Sequence, residues 1–106
     1  MTQQELFDYL KANPLSVNVH FGDLFDLKGQ DYIFVSMVSE TLIPSDDKGS
    51  YKTALQITIA TKDFDRRKEL VDYVKDFINV SVRYDIADQF QYFLAHCDCE
   101  MIFYAK

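Results

Sequence analysis

The chain opens on a helical spacing of apolar side chains. Leu6 and Leu10 stand one turn apart with Tyr9 beside them, so a helix here gathers them on one face. Thr2-Gln3-Gln4-Glu5 comes first, with the spacing in which a hydroxyl and a carboxylate satisfy backbone N–H groups reciprocally. Asn13-Pro14 ends the helix, because the residue before proline avoids helical geometry. Leu15, Val17, Val19 and Phe21 then alternate with Ser16, Asn18 and His20, the period of a half-buried strand. Tyr32 to Val38 is a nearly continuous apolar run, which predicts a strand covered on both faces. Tyr51, Leu55, Ile57 and Ile59 alternate with Lys52, Gln56 and Thr58 in a third strand. Between these two strands, Ile43-Pro44-Ser45-Asp46-Asp47-Lys48-Gly49-Ser50 is dense in turn formers and charge. The whole stretch reads as one hairpin with a long loop.

The pattern then returns to a helical period. Leu70, Val71, Val74, Phe77 and Ile78 form a wide apolar stripe, with Asp63 or Asp65 available as the cap. Lys68 and Asp72 make an i,i+4 pair worth only about 0.3 kcal/mol. Arg83 to Asp88 reads as a polar loop. From Phe90 to Tyr104, Phe93, Ala95, Cys97, Cys99, Met101 and Phe103 alternate with His96, Asp98 and Glu100, a long strand with one face on the core. The expected order is α-β-β-β-α-β over residues 1–106: a single α+β domain, a two-layer sandwich. Its sheet has about four strands, mainly antiparallel, with two helices on one face.

Composition narrows the classes of function. The 106 residues are 48% hydrophobic and 26% charged, as in an ordinary folded domain. Net charge is −6, and both halves carry more acid than base. Such a chain gains no counterion-release energy from nucleic acid and no attraction to an anionic membrane. The longest stretch without a formal charge, Ala12 to Gly22, falls short of the roughly 20 apolar residues of a membrane span. The first residues have neither a basic nor an apolar signal segment, and the two cysteines give no disulfide framework, so a reducing cytoplasm is expected.

No catalytic constellation stands out, and no enzyme is expected. On a strand, Cys97 and Cys99 face one way and His96 the other, so three ligands cannot converge on zinc and no metal is expected. His20 lies on the polar side of its own strand, without a nucleophile at a matching position. Asp46-Asp47 and Asp98/Glu100 read as solvated charge in an acidic chain. Gly22, Gly29 and Gly49 make no phosphate-cradling loop, so no cofactor is expected. Lys62, Arg66, Arg67 and Lys68 form the one basic cluster, a solvated helix start or a surface for an acidic partner. The nine Phe and seven Tyr are too many for so small an interior. Tyr92, Leu94, Ile102 and Tyr104, on the less core-like side of the last strand, are candidates for an interface.

Ala54-Leu55-Gln56-Ile57-Thr58-Ile59-Ala60-Thr61-Lys62-Asp63 runs straight into Asp65-Arg66-Arg67-Lys68-Glu69-Leu70-Val71-Asp72-Tyr73-Val74, and a long strand from Gln89 to Tyr104 closes the chain. This arrangement resembles the tail terminator, or tail-to-head joining (tail completion), proteins of long-tailed bacteriophages and prophages. The likeness is one of element order over nearly the whole chain. It implies a structural virion protein that forms a ring, a hexamer, on the end of the tail tube at the head–tail interface. The partners implied are the tail tube protein, the head connector protein and sister copies, with DNA only passing through the lumen. Assembly would take place in the bacterial host cytoplasm. A ring needs one patch to meet a different patch on its neighbour. The expected contributors are Asp46, Asp47, Lys48 and Tyr51 of the loop, Lys62, Arg66 and Arg67 of the basic cluster, and Tyr92 and Tyr104. The alternative is a small acidic protein-binding module of the inhibitor or immunity type, without catalytic activity.

Overall fold

The computed structural model describes residues 2–21, 30–42, 51–87 and 92–103. The expected contributors Asp46, Asp47, Lys48 and Tyr104 lie outside these residues. Seven elements follow in order: α1 (Gln3–Lys11), β1 (Asn18–Phe21), β2 (Tyr32–Leu42), β3 (Tyr51–Thr61), α2 (Phe64–Lys75), β4 (Ser81–Ala87) and β5 (Tyr92–Phe103). The architecture is α+β, with two helices and one five-stranded sheet ordered β1-β2-β3-β5-β4.

Each helix begins where its cap stands. The Thr2 hydroxyl accepts the Glu5 N–H at 3.1 Å, and Asp63 Oδ1 accepts from the N–H groups of Asp65 and Arg66 at 2.7 and 3.2 Å. Only half of the reciprocal N-terminal box forms, because the Glu5 carboxylate meets the Thr2 hydroxyl and not its N–H. Helix α2 ends at Lys75, earlier than the apolar stripe predicts. Phe77 and Ile78 follow in a turn whose N–H groups both reach the Val74 carbonyl at 3.1 Å, and both side chains still pack on the core.

The first strand is shorter than its alternation predicts. Asn13 is buried, and its side chain organises residues 10–17: Nδ2 donates to the carbonyls of Leu10 and Val17, while Oδ1 accepts from the N–H groups of Leu15 and Val17. Ser16 is bent to a φ of 54°, a left-handed conformation that strand geometry does not allow. One amide side chain therefore takes the hydrogen bonds that a strand over 15–17 would have used.

One further expectation needs correction, and with it the count of about four strands becomes five. Of the loop expected over 83–88, residues 83–87 belong instead to the edge strand β4, antiparallel to β5 from Ser81↔Asp98 to Ala87↔Tyr92, and Asp88 lies outside the described residues. Val82, Tyr84 and Ile86 alternate with Ser81, Arg83 and Asp85, and this short signal belongs to a strand paired on one flank only. The sheet is mainly antiparallel, as expected, and β1 adds a parallel pairing with β2, with Asn18 opposite Tyr32 and Phe21 opposite Val35. Alternation identifies a strand and its faces; it does not specify the neighbour or the direction.

The core lies between the helices and one face of the sheet. Leu6 and Leu10 of α1 and Leu70, Val71 and Val74 of α2 join Ile33, Val35, Leu55, Ile57, Ile59, Ala95 and Cys97 in one buried cluster. The helices are also clasped to each other. Tyr9 donates its hydroxyl to the Tyr73 carbonyl at 2.7 Å, Tyr73 returns one to the Tyr9 carbonyl, and the rings stack with centroids 4.3 Å apart. Burial raises the pKa of both phenols above the ordinary tyrosine value.

Beyond this packed half the three central strands continue without their flanking partners. β1 covers β2 only as far as Val35, and β4 covers β5 only as far as Asp98. Pairing of β2 with β3 runs on to Leu42↔Tyr51, and of β3 with β5 to Tyr51↔Phe103. The result is a projecting three-stranded ribbon, in a molecule 47 Å long and 24 Å by 22 Å across. A register shift between Met37 and Ser39 sets Val38 as an extra residue at the base of the ribbon.

Candidate interaction surface

Three groups of apolar side chains stand in solvent. Met37 and Val38 (69% exposed) lie on the outer strand of the ribbon, and Ile102 lies on the opposite outer strand. Phe21 closes the edge strand β1. Phe64, Tyr84 and Ile86, each 55–56% exposed, gather at the β4 edge and the start of α2. Among the described residues no strand lies beyond β1 or β4, and none pairs with the outer sides of 37–42 or 99–103. Unpaired backbone N–H and C=O groups beside exposed apolar side chains make a template for another strand.

Within the basic cluster, Arg67 and Arg66 make internal contacts, while Lys62 and Lys68 are exposed. Arg67 is buried, 8% exposed, and Nη1 donates to the carbonyls of Asp85 and Leu94 at 3.3 and 3.1 Å. Its guanidinium lies 5.0 Å from the ring centre of Phe64, 4.7 Å from Tyr84 and 5.5 Å from Phe93. These rings replace water around the cation, and the two carbonyls fasten α2 to the β4–β5 pair. Arg66 pairs with Asp31 at 2.7 Å, and the other oxygen of that carboxylate accepts the Lys62 N–H at 2.9 Å. Lys62 Nζ lies 4.4 Å over the ring of Tyr92. Tyr92 itself is buried, and its hydroxyl donates to the Gln30 carbonyl at 2.6 Å. Tyr51 is half-buried where the ribbon ends. Among the described candidates from the last strand, Ile102 is exposed and Leu94 half-buried.

The sheet face away from the helices is polar along its middle. Asp98 accepts from Gln56 Nε2 at 3.0 Å and from Arg83 Nε at 3.2 Å. These bonds, that of Gln56 foremost, hold its carboxyl below the usual range. His96 Nδ1 lies 3.3 Å from the Thr58 hydroxyl, and Lys52 pairs with Glu100 at 3.2 Å. His20 is half-buried beside the rings of Tyr32 and Phe34. Cys97 and Cys99 are free thiols on the core face, and burial pushes them up to about 12 and about 11. At those values neither is a thiolate nucleophile near neutral pH. Among the described residues no three His, Cys, Asp or Glu side chains converge to hold a metal ion, and no helix is long and apolar enough to cross a membrane.

An open groove of about 600 Å³ crosses the base of the ribbon, lined by residues that include Val38, Leu55, Val80, Asp98 and Cys99. Its ionisable lining groups are Asp98, Cys99 and Glu100, and Asp98 is already held by Gln56 and Arg83. Sequence reasoning missed Arg67 as an internal fastener and β4 as an exposed edge. The alternation Val82-Tyr84-Ile86 could have revealed the edge, whereas nothing local marks Arg67. No protein-family model matches the chain, and no curated protein matches it.

Proposed function

We propose that this protein is a structural component of a long-tailed phage or prophage virion, one that forms a ring on the end of the tail tube and joins it to the head connector. The observation that carries this reading is the ribbon, whose two outer edges pair with no further strand among the described residues. One edge bears Met37 and Val38, the other Ile102, so the two are unlike. Unlike patches on opposite sides of one body suit the head-to-tail contact from which rings are built. Element order supports the same reading, and the net negative charge suits a lumen through which DNA slides without being held.

The test is electron microscopy of tails assembled with a tagged copy, and of tails made in its absence. The reading expects the tag at the head-proximal end and tubes of uncontrolled length when the protein is missing. Tails of normal length without it, or a tag that never joins the particle, would overturn the reading. A protein that stays off the tail and copurifies with a basic protein would be the acidic inhibitor instead.

A further inference from the structure

The outer edge of β4 is complementary to itself. Seven residues, Ser81-Val82-Arg83-Tyr84-Asp85-Ile86-Ala87, form a strand with no partner on its outer side among the described residues. It carries neither lysine nor proline, two devices that keep edge strands apart. We propose that this edge pairs with the same edge of a second copy, antiparallel and centred on Tyr84, so that two sheets join into one across a two-fold axis.

Register is what singles out this partner. With Tyr84 opposite Tyr84 of the second copy, Arg83 stands opposite Asp85, Asp85 opposite Arg83, and Val82 opposite Ile86. Opposite charges face each other twice on the polar side of the sheet, and apolar side chains meet on the core side. Slipping the pair by two residues in either direction sets Arg83 against Arg83 or Asp85 against Asp85. A one-residue slip sets the polar face of one copy against the apolar face of the other. The charges are available for the pairing. Arg83 uses Nε on Asp98 and keeps its two Nη groups; Asp85 keeps Oδ2, while its Oδ1 holds the Ile86 N–H, an edge donor that it hands over to the Val82 carbonyl of the second copy on pairing.

Antiparallel edge pairing puts the helix layers of both copies on the same side of the joined sheet. Phe64 and Tyr84, which flank the Arg67 guanidinium, then reach the seam, and Phe64, Tyr84 and Ile86 lose their exposure together. The contact leaves the ribbon edges free, so it does not depend on the ring reading and can fail or stand without it.

Sedimentation equilibrium of the free protein over a range of concentrations is the test, with a species of twice the 12.4 kDa chain mass expected. D85R and R83D each set like charges opposite and weaken the pair by about tenfold or more, while the R83D/D85R exchange restores it. Y84C supplies a reading that needs neither charge variant to fold. Its thiols meet across the axis within disulfide reach, and mild oxidation links the two chains. A monomer at every concentration, a dimer indifferent to D85R, or a Y84C protein that stays unlinked would overturn the proposal. An assembly larger than a dimer that survives D85R would belong to the ribbon edges alone.

Discussion

The half of the molecule under the helices and the ribbon that projects from it share three strands but are held by different means. In the packed half Ile33, Ile57, Ile59 and Ala95 lie beneath Leu70, Val71 and Val74 with no exposure beyond 1%. Along the ribbon Thr53, Leu55, Met101 and Phe103 stay buried, but Met37, Val38 and Ile102 on its outer strands face water. Helix packing holds the first region; the backbone ladder and a narrower set of buried side chains hold the second. A domain of 106 residues thus keeps a firm body while presenting an extended, sticky sheet.

The largest effect should come from the packed half. Leu70→Ala removes a fully buried side chain of α2 and should cost about 2–5 kcal/mol. Thermal unfolding would register that as a fall of several degrees per kcal/mol. Val38→Ser and Ile102→Ser in the ribbon should stay within about 0.5 kcal/mol of the parent in the same measurement. Equal losses in the two regions would erase the contrast.

Arg67→Met should come next. It keeps the stem among Phe64, Tyr84 and Phe93 but removes the donors to Asp85 and Leu94, at a cost of about 1.5–3 kcal/mol in chemical denaturation. Hydrogen exchange should locate the loss at the β4–β5 pair.

Two smaller changes have opposite signs. Tyr9→Phe deletes the hydroxyl that reaches the Tyr73 carbonyl and should destabilise by about 1 kcal/mol. Thr53 in the ribbon is buried with its hydroxyl unpartnered among the described residues, so Thr53→Val should stabilise by about 1 kcal/mol. A stabilising change at Thr53 beside a neutral one at Val38 would show that the ribbon still contains a dry interior position.

Smallest is the contribution of Asp98. Its folded pKa is lower than its unfolded value, so its stabilisation is complete above the ordinary aspartate range, near pH 4, and disappears as pH falls through the folded value. Gln56→Ala removes the largest cause and should move the Asp98 carboxyl back toward that range in an NMR titration. Arg83→Ala, which removes both a hydrogen bond and a nearby positive charge, should move it in the same direction.

Legibility in the sequence followed the range of the forces involved. The caps at Thr2 and Asp63, the stripe Leu70-Val71-Val74 and the one-sided alternation of Cys97, Cys99 and Met101 are local patterns, and all reappear in the fold. The interior place of Cys97, with His96 on the opposite face, could be read the same way. Alternation at 15–17 misled because it says nothing of Asn13, whose amide diverts the backbone. Within the basic cluster Arg67 escaped the reading, because charge at a helix start ordinarily faces water, as Lys62 and Lys68 do here, whereas an aromatic cage and two carbonyls receive Arg67.

The amino-acid order alone determined which segments are helices and most of the strands, and which side of α2 and of the last strand's core positions faces inward; it did not foresee that Met37, Val38 and Phe21 stand in solvent or that Tyr92 is buried. The properties it determined depend on neighbours within a few residues, where side-chain direction is set by backbone period. Strand neighbours, the parallel run of β1, the overhang of the ribbon and the cage around Arg67 were decided only in three dimensions. Each brings together residues far apart in the chain, and no local pattern records which of them will meet.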